Sequence, residues 1–275
     1  MNSETTLKIN IRFEGGTANE HKLDLYDAGK SLKGFSKALH IICTSLITKG
    51  EIRLKFTETK GLKFYLVSAR QGSFLETVSI VLDNDIIKNV GLSVIGASVL
   101  DMLKYTLKGS VGQTYKPTTR IVNEIVKDNG DFLEEISQAL ETPMREIQTP
   151  IKTNKNVIIK IEKPKGELVA KLDKSTLDYV LNDPNPQLET NIIGNVTRFN
   201  ALTLNGGRFY SDTEKRIISF TYKKDLDNIQ KGILSTSLDR YTNGLSCKIA
   251  IDAYVVRNKL GKVKKYNIEK VERRY

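Results

Sequence analysis

Residues 74–107 form the most apolar stretch of the chain, and they limit its fold more than any other segment. The uncharged centre of this stretch, residues 89–100, is about 12 residues long, whereas roughly 20 are needed to cross a hydrocarbon layer. A helix over residues 86–107 would reach about 33 Å. It would then carry Lys88, Asp101 and Lys104, and such charges are costly in lipid unless they face water or pair.

Small and polar residues recur every four positions along this predicted helix, at Asn89, Ser93, Ala97 and Asp101. Two interpretations follow. In the first, the helix is buried inside a domain or a homo-oligomer, and its small residues allow neighbouring helices to approach closely. In the second, copies of the helix line a membrane pore, and these four residues face the water in it. Residues 74–150 are therefore predicted to be a central helical segment for oligomerisation or membrane contact.

The N-terminal residues 1–73 alternate between two hydrophobic periods. Apolar residues at every second position from Leu7 to Phe13, resumed at Leu23 and Leu25 after a Gly15-Gly16 turn, predict a β-hairpin. Apolar residues at three- and four-residue steps over 26–48 then predict a helix, and strands are expected at 51–57 and 62–68. The result is a β-β-α-β-β domain of the α+β class.

Two amphipathic helices are predicted between residues 109 and 150, stopped by Pro143 and Pro150. Residues 151–187 are predicted to form a hairpin (157–161 with 166–172), a short helical turn at 175–181, and a linker. The cluster Asn182-Asp183-Pro184-Asn185-Pro186 marks a domain boundary.

Residues 188–275 are predicted to form a small β-barrel. Five strands are expected at 189–199, 208–210, 216–222, 246–257 and 263–271, with a helix near 224–232 between the third and fourth. This order fits an OB-like barrel, and an SH3-like barrel is also compatible.

The net charge of +11 is concentrated in the same part of the chain, since residues 191–275 hold 17 Lys and Arg against 8 Asp and Glu. Cations that neutralise phosphates, interleaved with aromatic rings that stack on bases, are typical of single-stranded nucleic-acid sites. The alternative is a solvated basic surface with about half of the aromatic rings in the core. The candidate nucleic-acid-binding residues are Arg198, Arg208, Tyr210, Lys223, Lys224, Arg240, Tyr241 and Arg257.

Enzyme motifs are missing from the sequence: there is no GxxxxGK[ST], GxGxxG, GxSxG or HExxH. We expect no catalytic residues, no metal site and no cofactor, although an unrecognised nuclease stays as an alternative. Two cysteines and a polar N-terminus without a signal peptide predict a cytoplasmic protein.

Four segments carry a family resemblance: INIRFEGGTANEHKLDLYDAGKSLKGFSKAL, ARQGSF, GNVTRFNALTLNGGRFY and YVVRNKLGKVKKYNI. They resemble an uncharacterised bacterial family associated with anti-phage defence loci, and the whole chain is similar to a Hailong-type effector. The resemblance implies an oligomeric membrane channel that is held closed by a single-stranded DNA oligomer. It also implies that a partner nucleotidyltransferase makes this DNA and that its loss depolarises the cell.

The sequence and the resemblance together predict a non-enzymatic defence effector. It would be a homo-oligomeric channel, taken as a tetramer, in contact with the inner membrane and controlled by bound single-stranded DNA. The alternative is a soluble nucleic-acid-binding module or assembly subunit whose apolar helix is the core of an oligomer.

Overall fold

The computed structural model describes residues 5–53, 62–70, 74–82, 91–200, 206–223, 226–245 and 247–274. The chain divides into two compact units, Met1–Val180 and Leu181–Tyr275. Each unit has its own sheet and its own core, and each is described by itself below.

The first unit is an antiparallel five-stranded sheet with helices against it. The sheet order is β2-β3-β1-β4-β5. Its strands are β1 (Thr5–Glu14), β2 (Leu62–Arg70), β3 (Phe74–Leu82), β4 (Ile158–Glu162) and β5 (Leu168–Leu172). The helices are α1 (Leu25–Ile47), α2 (Leu92–Ser110), α3 (Arg120–Asp128), α4 (Phe132–Ile147), α5 (Thr149–Thr153) and α6 (Lys174–Val180).

The predicted N-terminal hairpin is wrong at its second strand. After β1 the chain makes a 3-10 turn over Gly16–Glu20, and Leu25 begins α1. The cause is Asp24, whose carboxylate accepts hydrogen bonds from the backbone N–H groups of Tyr26 and Asp27, both at 3.0 Å. These groups lack partners within the helix, so a carboxylate before them favours a helix start. The predicted strand at 51–57 extends beyond the described residues.

The predicted segments 1–73, 74–150 and 151–187 are joined by one sheet. Strand β3 lies inside the segment that was expected to be helical, and it pairs with β1 from Thr5↔Leu82 to Phe13↔Phe74. Strand β4 pairs with the other edge of β1. The three predicted segments therefore contribute strands to one sheet within one compact unit.

Helix α1 lies between the sheet and α4. On the sheet side, the rings of His40 and Phe64 are 5.1 Å apart. On the α4 side, Gly34 allows very close contact: a Cβ atom added there would lie 2.7 Å from the backbone nitrogen of Ile147 and from the carbonyl oxygen of Pro143. The Ser31 hydroxyl donates a hydrogen bond to the Ile147 carbonyl oxygen at 2.7 Å. Gly34 therefore lies directly against the backbone of α4 and the Cβ atom of Glu146.

Asp101 of α2 fixes the connection to α3. This residue is 4% exposed. Its carboxylate accepts hydrogen bonds from the Tyr115 hydroxyl at 2.9 Å, and from the backbone N–H groups of Thr118 and Thr119 at 2.9 and 2.8 Å. Burial raises the pKa of Asp101, but the bonds from Thr119, Tyr115 and Thr118 outweigh it, so the pKa lies below its ordinary value.

In the predicted pore line, Asp101 turns its carboxylate oxygens toward the connection to α3. Ser93 and Ala97 are exposed on the N-terminal half of α2, and Asn89 lies outside the described residues. Within the part of the chain that the structure describes, no helix is both long enough and apolar enough to cross a membrane.

The second unit is a closed five-stranded barrel. Its strands are β6 (Gln187–Phe199), β7 (Gly207–Ser211), β8 (Arg216–Tyr222), β9 (Ile249–Arg257) and β10 (Val263–Arg273), and helix α7 (Asn228–Thr242) lies between β8 and β9. The barrel order is β10-β8-β7-β6-β9. Only β10 and β8 pair in parallel among these neighbours.

This connectivity distinguishes between the OB-like and the SH3-like barrel, both of which are compatible with the sequence. Counted from β6, the closed order is first, second, third, fifth and fourth strand, with the helix after the third. That is the Greek-key order of an OB barrel. The α+β class and the C-terminal barrel are confirmed.

We predict opposite effects for two glycine substitutions in α1. Gly34→Ala should lower the free energy of unfolding by about 1–3 kcal/mol, because the added methyl group meets the α4 backbone. Gly29→Ala should raise it by about 0.5–1 kcal/mol, since a Cβ atom at Gly29 meets nothing within 4 Å and alanine favours the helix. Urea unfolding of both variants measures the two changes in the free energy of unfolding. Equal effects would contradict the close contact at Gly34.

We predict that Asp101→Asn lowers the free energy of unfolding by about 2–4 kcal/mol at pH 7, because an amide cannot accept all of these bonds. The folded-state pKa is below the ordinary 3.8, so the stabilisation is present above that pH and is lost as the pH falls through the lowered value. The gap between wild type and variant should therefore shrink below about pH 4. Asp128→Asn, at an exposed position, is the control. A gap that is constant down to pH 3 would refute this assignment.

Candidate nucleic-acid interface

The outer surface of the barrel is defined by the alternation of its strands. Phe209, Ile218 and Phe220 point into the core and are at most 2% exposed. Because successive side chains point to opposite faces, their neighbours Arg208, Tyr210, Ser219 and Thr221 lie on the outside. The second and third strands, β7 and β8, are the face that OB barrels commonly use for ligands.

Three cations lie side by side across four strands of this surface. Arg198 of β6 is directly opposite Arg208 of β7, Arg208 is opposite Ser219 of β8, and Ser219 is opposite Lys265 of β10. We call Arg198, Arg208, Ser219 and Lys265 the basic row. With strands about 4.8 Å apart, the row is about 14 Å long.

The arginine pair in the basic row has an energetic cost. Directly opposite side chains on one face of an antiparallel pair have Cβ atoms about 5 Å apart, and two like charges at that spacing repel. Arg208 is also 8% exposed, so its charge is poorly screened by water. An anion placed between the two guanidinium groups would remove this repulsion and gain charge-assisted hydrogen bonds.

A tyrosine lies on each side of the basic row. Tyr210 is two residues beyond Arg208 on the same face of β7, opposite Ile217. On the other side, Thr221 is opposite Asn267, and Asn267 is opposite Tyr254, which is 40% exposed. The outer surface therefore offers a line of cations with an aromatic ring on either flank, the two kinds of group that a single strand of nucleic acid requires.

Other predicted residues lie elsewhere. Lys223 forms an ion pair with Glu269, and Arg257 forms one with Glu189 at 2.6 Å. Arg240 and Tyr241 are exposed at the end of α7, on a different element from the basic row. Lys224 lies outside the described residues. The structure brings together Arg198, Arg208 and Tyr210 of the eight candidates.

Ser219, Lys265 and Tyr254 are not among the eight candidate residues. The available signal was the period-two pattern: Tyr266 and Ile268 are core residues, which places Lys265 and Asn267 on the outer face of β10. In contrast, Phe199 and Tyr222 are aromatic but pack against the barrel core, with ring centres 6.2 Å apart. Burial raises the pKa of Tyr222, which keeps its hydroxyl neutral.

The comparison with known families concerns the first unit. A family model described as a domain of unknown function, DUF7946, matches residues 9–181, well over half of the chain. The chain belongs to this family. The match ends where the first unit ends, and the barrel follows it in sequence. No curated protein sequence matches the chain, and no solved structure does.

Proposed function

We propose that the barrel binds single-stranded nucleic acid through the basic row. The observation that carries this proposal is the register, which places Arg198 of β6 directly opposite Arg208 of β7, so that one phosphate group would meet both guanidinium groups. Lys265 extends the same row, and no acidic side chain among the described residues forms an ion pair with Arg208 or Lys265. Arg208 and Lys265 are thus the cations of the row for which no acidic partner is found in the described part of the chain.

The flanking tyrosines favour a single strand over a duplex. A single strand exposes the faces of its bases, and each base stacked on an aromatic ring contributes about 1–3 kcal/mol. Tyr210 and Tyr254 lie on opposite sides of the cations, so a strand whose backbone follows the basic row can turn bases toward either ring. Stacking is tolerant of sequence, and we expect little preference among bases.

A second candidate function follows from the resemblance to Hailong-type effectors: an oligomeric defence channel regulated by the bound strand. The structural observation that favours assembly is the exposed N-terminal half of α2, where Ser93, Val94 and Ala97 form a surface that another helix can approach closely. In this proposal the strand must bind the closed arrangement more tightly than the open one, because a ligand shifts an equilibrium only by that difference.

We predict that Arg198→Ala combined with Lys265→Ala weakens binding of short single-stranded DNA, measured by fluorescence anisotropy over a salt series. Each phosphate contact that is lost should lower the slope of log affinity against log salt by about 0.7. Lys270→Ala is the matched control, because Lys270 lies on the same strand, is exposed and pairs with Glu272. If the double variant and the control behave alike, the basic row is not the binding surface.

We predict that Tyr254→Ala weakens the same binding by about tenfold, which corresponds to one lost stacking contact. The salt slope should stay at its wild-type value, because no phosphate contact is removed. A change in slope with unchanged affinity at low salt would contradict the assignment of Tyr254 to stacking.

The channel hypothesis predicts that the full chain releases dye from liposomes, and that added single-stranded DNA reduces the release because the strand favours the closed arrangement. Release equal to that of liposomes without protein would overturn the channel hypothesis, and it would leave the anisotropy result on nucleic-acid binding unaffected.

A further inference from the structure

A pocket of about 770 Å³ lies at the start of α1 in the first unit, far from the barrel strands in sequence. It is formed where the 3-10 turn after β1, the first residues of α1, α5 and the residues before β4 come together. Its volume lies within the range of small-molecule sites. Its polar lining residues are Thr17, Lys22, Asp24, Asp27, Thr153, Asn154 and Lys155.

The two carboxylates in this pocket have different roles. The carboxylate of Asp24 caps α1, because it accepts hydrogen bonds from the backbone N–H groups of Tyr26 and Asp27. The carboxylate of Asp27 accepts no hydrogen bond and joins no ion pair within the described residues, although Asp27 is only 6% exposed. Its oxygens are not among the side-chain atoms that lack both solvent contact and a partner, so the carboxylate is open to the pocket that Asp27 lines and is available to hydrogen-bond donors of a ligand.

The start of α1 fixes the position of Asp27. It is the third residue after the cap of a 23-residue helix, where the positive end of the helix dipole stabilises a negative charge. The opposite wall is equally fixed: a Cβ atom at Gly15 would lie 2.1 Å from the Asn156 carbonyl oxygen, so the turn and the 154–156 segment touch through their backbones. The pocket is therefore formed before any ligand arrives.

The rest of the lining indicates the other end of the ligand. Lys22 and Lys155 are both exposed, and both line the pocket together with Asp27. A ligand that meets a buried carboxylate and two ammonium groups needs hydrogen-bond donors at one end and an anionic group at the other. A carboxylate is best matched by two parallel N–H donors, as in a guanidinium group or the edge of guanine.

We propose that this pocket binds a small ligand that places two parallel N–H donors on the carboxylate of Asp27 and an anionic group near Lys22 and Lys155. Two sources have this chemistry, a guanidino amino acid and a guanine nucleotide. The proposal concerns the first unit alone, and it stands whether or not the barrel binds nucleic acid.

The test is calorimetric titration of the full chain with L-arginine and GMP, each beside a partner that lacks one end. Agmatine has the guanidinium group of arginine without its carboxylate, and AMP has the phosphate of GMP without the paired donors. L-arginine or GMP should bind. Its comparison compound, agmatine or AMP, should bind about tenfold more weakly. If neither L-arginine nor GMP binds at about 10 mM, the proposal is overturned. It is also overturned if agmatine binds as well as L-arginine and AMP as well as GMP.

Variants connect the binding to these residues. Asp27→Asn should weaken the bound ligand by about tenfold or more, because it removes the charge and one acceptor. Lys155→Ala should weaken it several-fold, whereas Lys152→Ala, an exposed neighbour on α5 that does not line the pocket, should not. If Asp27→Asn does not fold, the comparison of Lys155→Ala with Lys152→Ala tests the proposal instead. Equal binding by Lys155→Ala and Lys152→Ala would then overturn the proposal.

Discussion

The contact between α1 and α4 at Gly34 determines how the first unit is arranged. Because a Cβ atom at Gly34 would meet the α4 backbone, the two helices pack closely at this point, and the Ser31 hydroxyl donates a hydrogen bond to the Ile147 carbonyl oxygen beside it. The chain continues from α4 through Gln148 into α5. Pro150 and Thr153 of α5 form one wall of the pocket around Asp27. A helix contact near the middle of α1 therefore holds in place a site at its N-terminus.

Local patterns predicted the elements better than their partners. The strands β4 to β10 were expected close to their observed positions, because each is a short apolar-rich segment bounded by turn residues. Leu23 and Leu25 alternate with polar residues, but two residues are a short pattern, and the carboxylate of Asp24 bonded to two helix N–H groups outweighs it. Strand β3 was not predicted, because Val78 and Ile80 are buried on one of its faces and Leu75 on the other. Apolar and polar residues therefore do not alternate regularly along it.

The candidate interface was predicted in part, because charge is visible in sequence and strand register is not. The density of Lys, Arg and Tyr after residue 190 indicated the correct unit. This density does not distinguish Arg208, which lies opposite another arginine, from Arg257, which forms an ion pair with Glu189. Lys265 joins the basic row only through the parallel pairing of β10 with β8, a contact between residues far apart in the chain. Such pairing follows from barrel closure, which no local pattern contains.

The two units place their charges by different physical means, and this bears on how the family is organised. In the barrel, three cations form a row across neighbouring strands, with Arg208 largely buried at its centre, and such a line of charges suits an extended polyanion. In the first unit, one carboxylate is buried at a helix start and two ammonium groups stand at the rim, which suits a single small molecule held at both ends. The family match covers residues 9–181 and therefore contains the whole of the second arrangement. The pocket at Asp27 therefore lies within the residues that the family model matches, whereas the basic row belongs to the barrel that follows them.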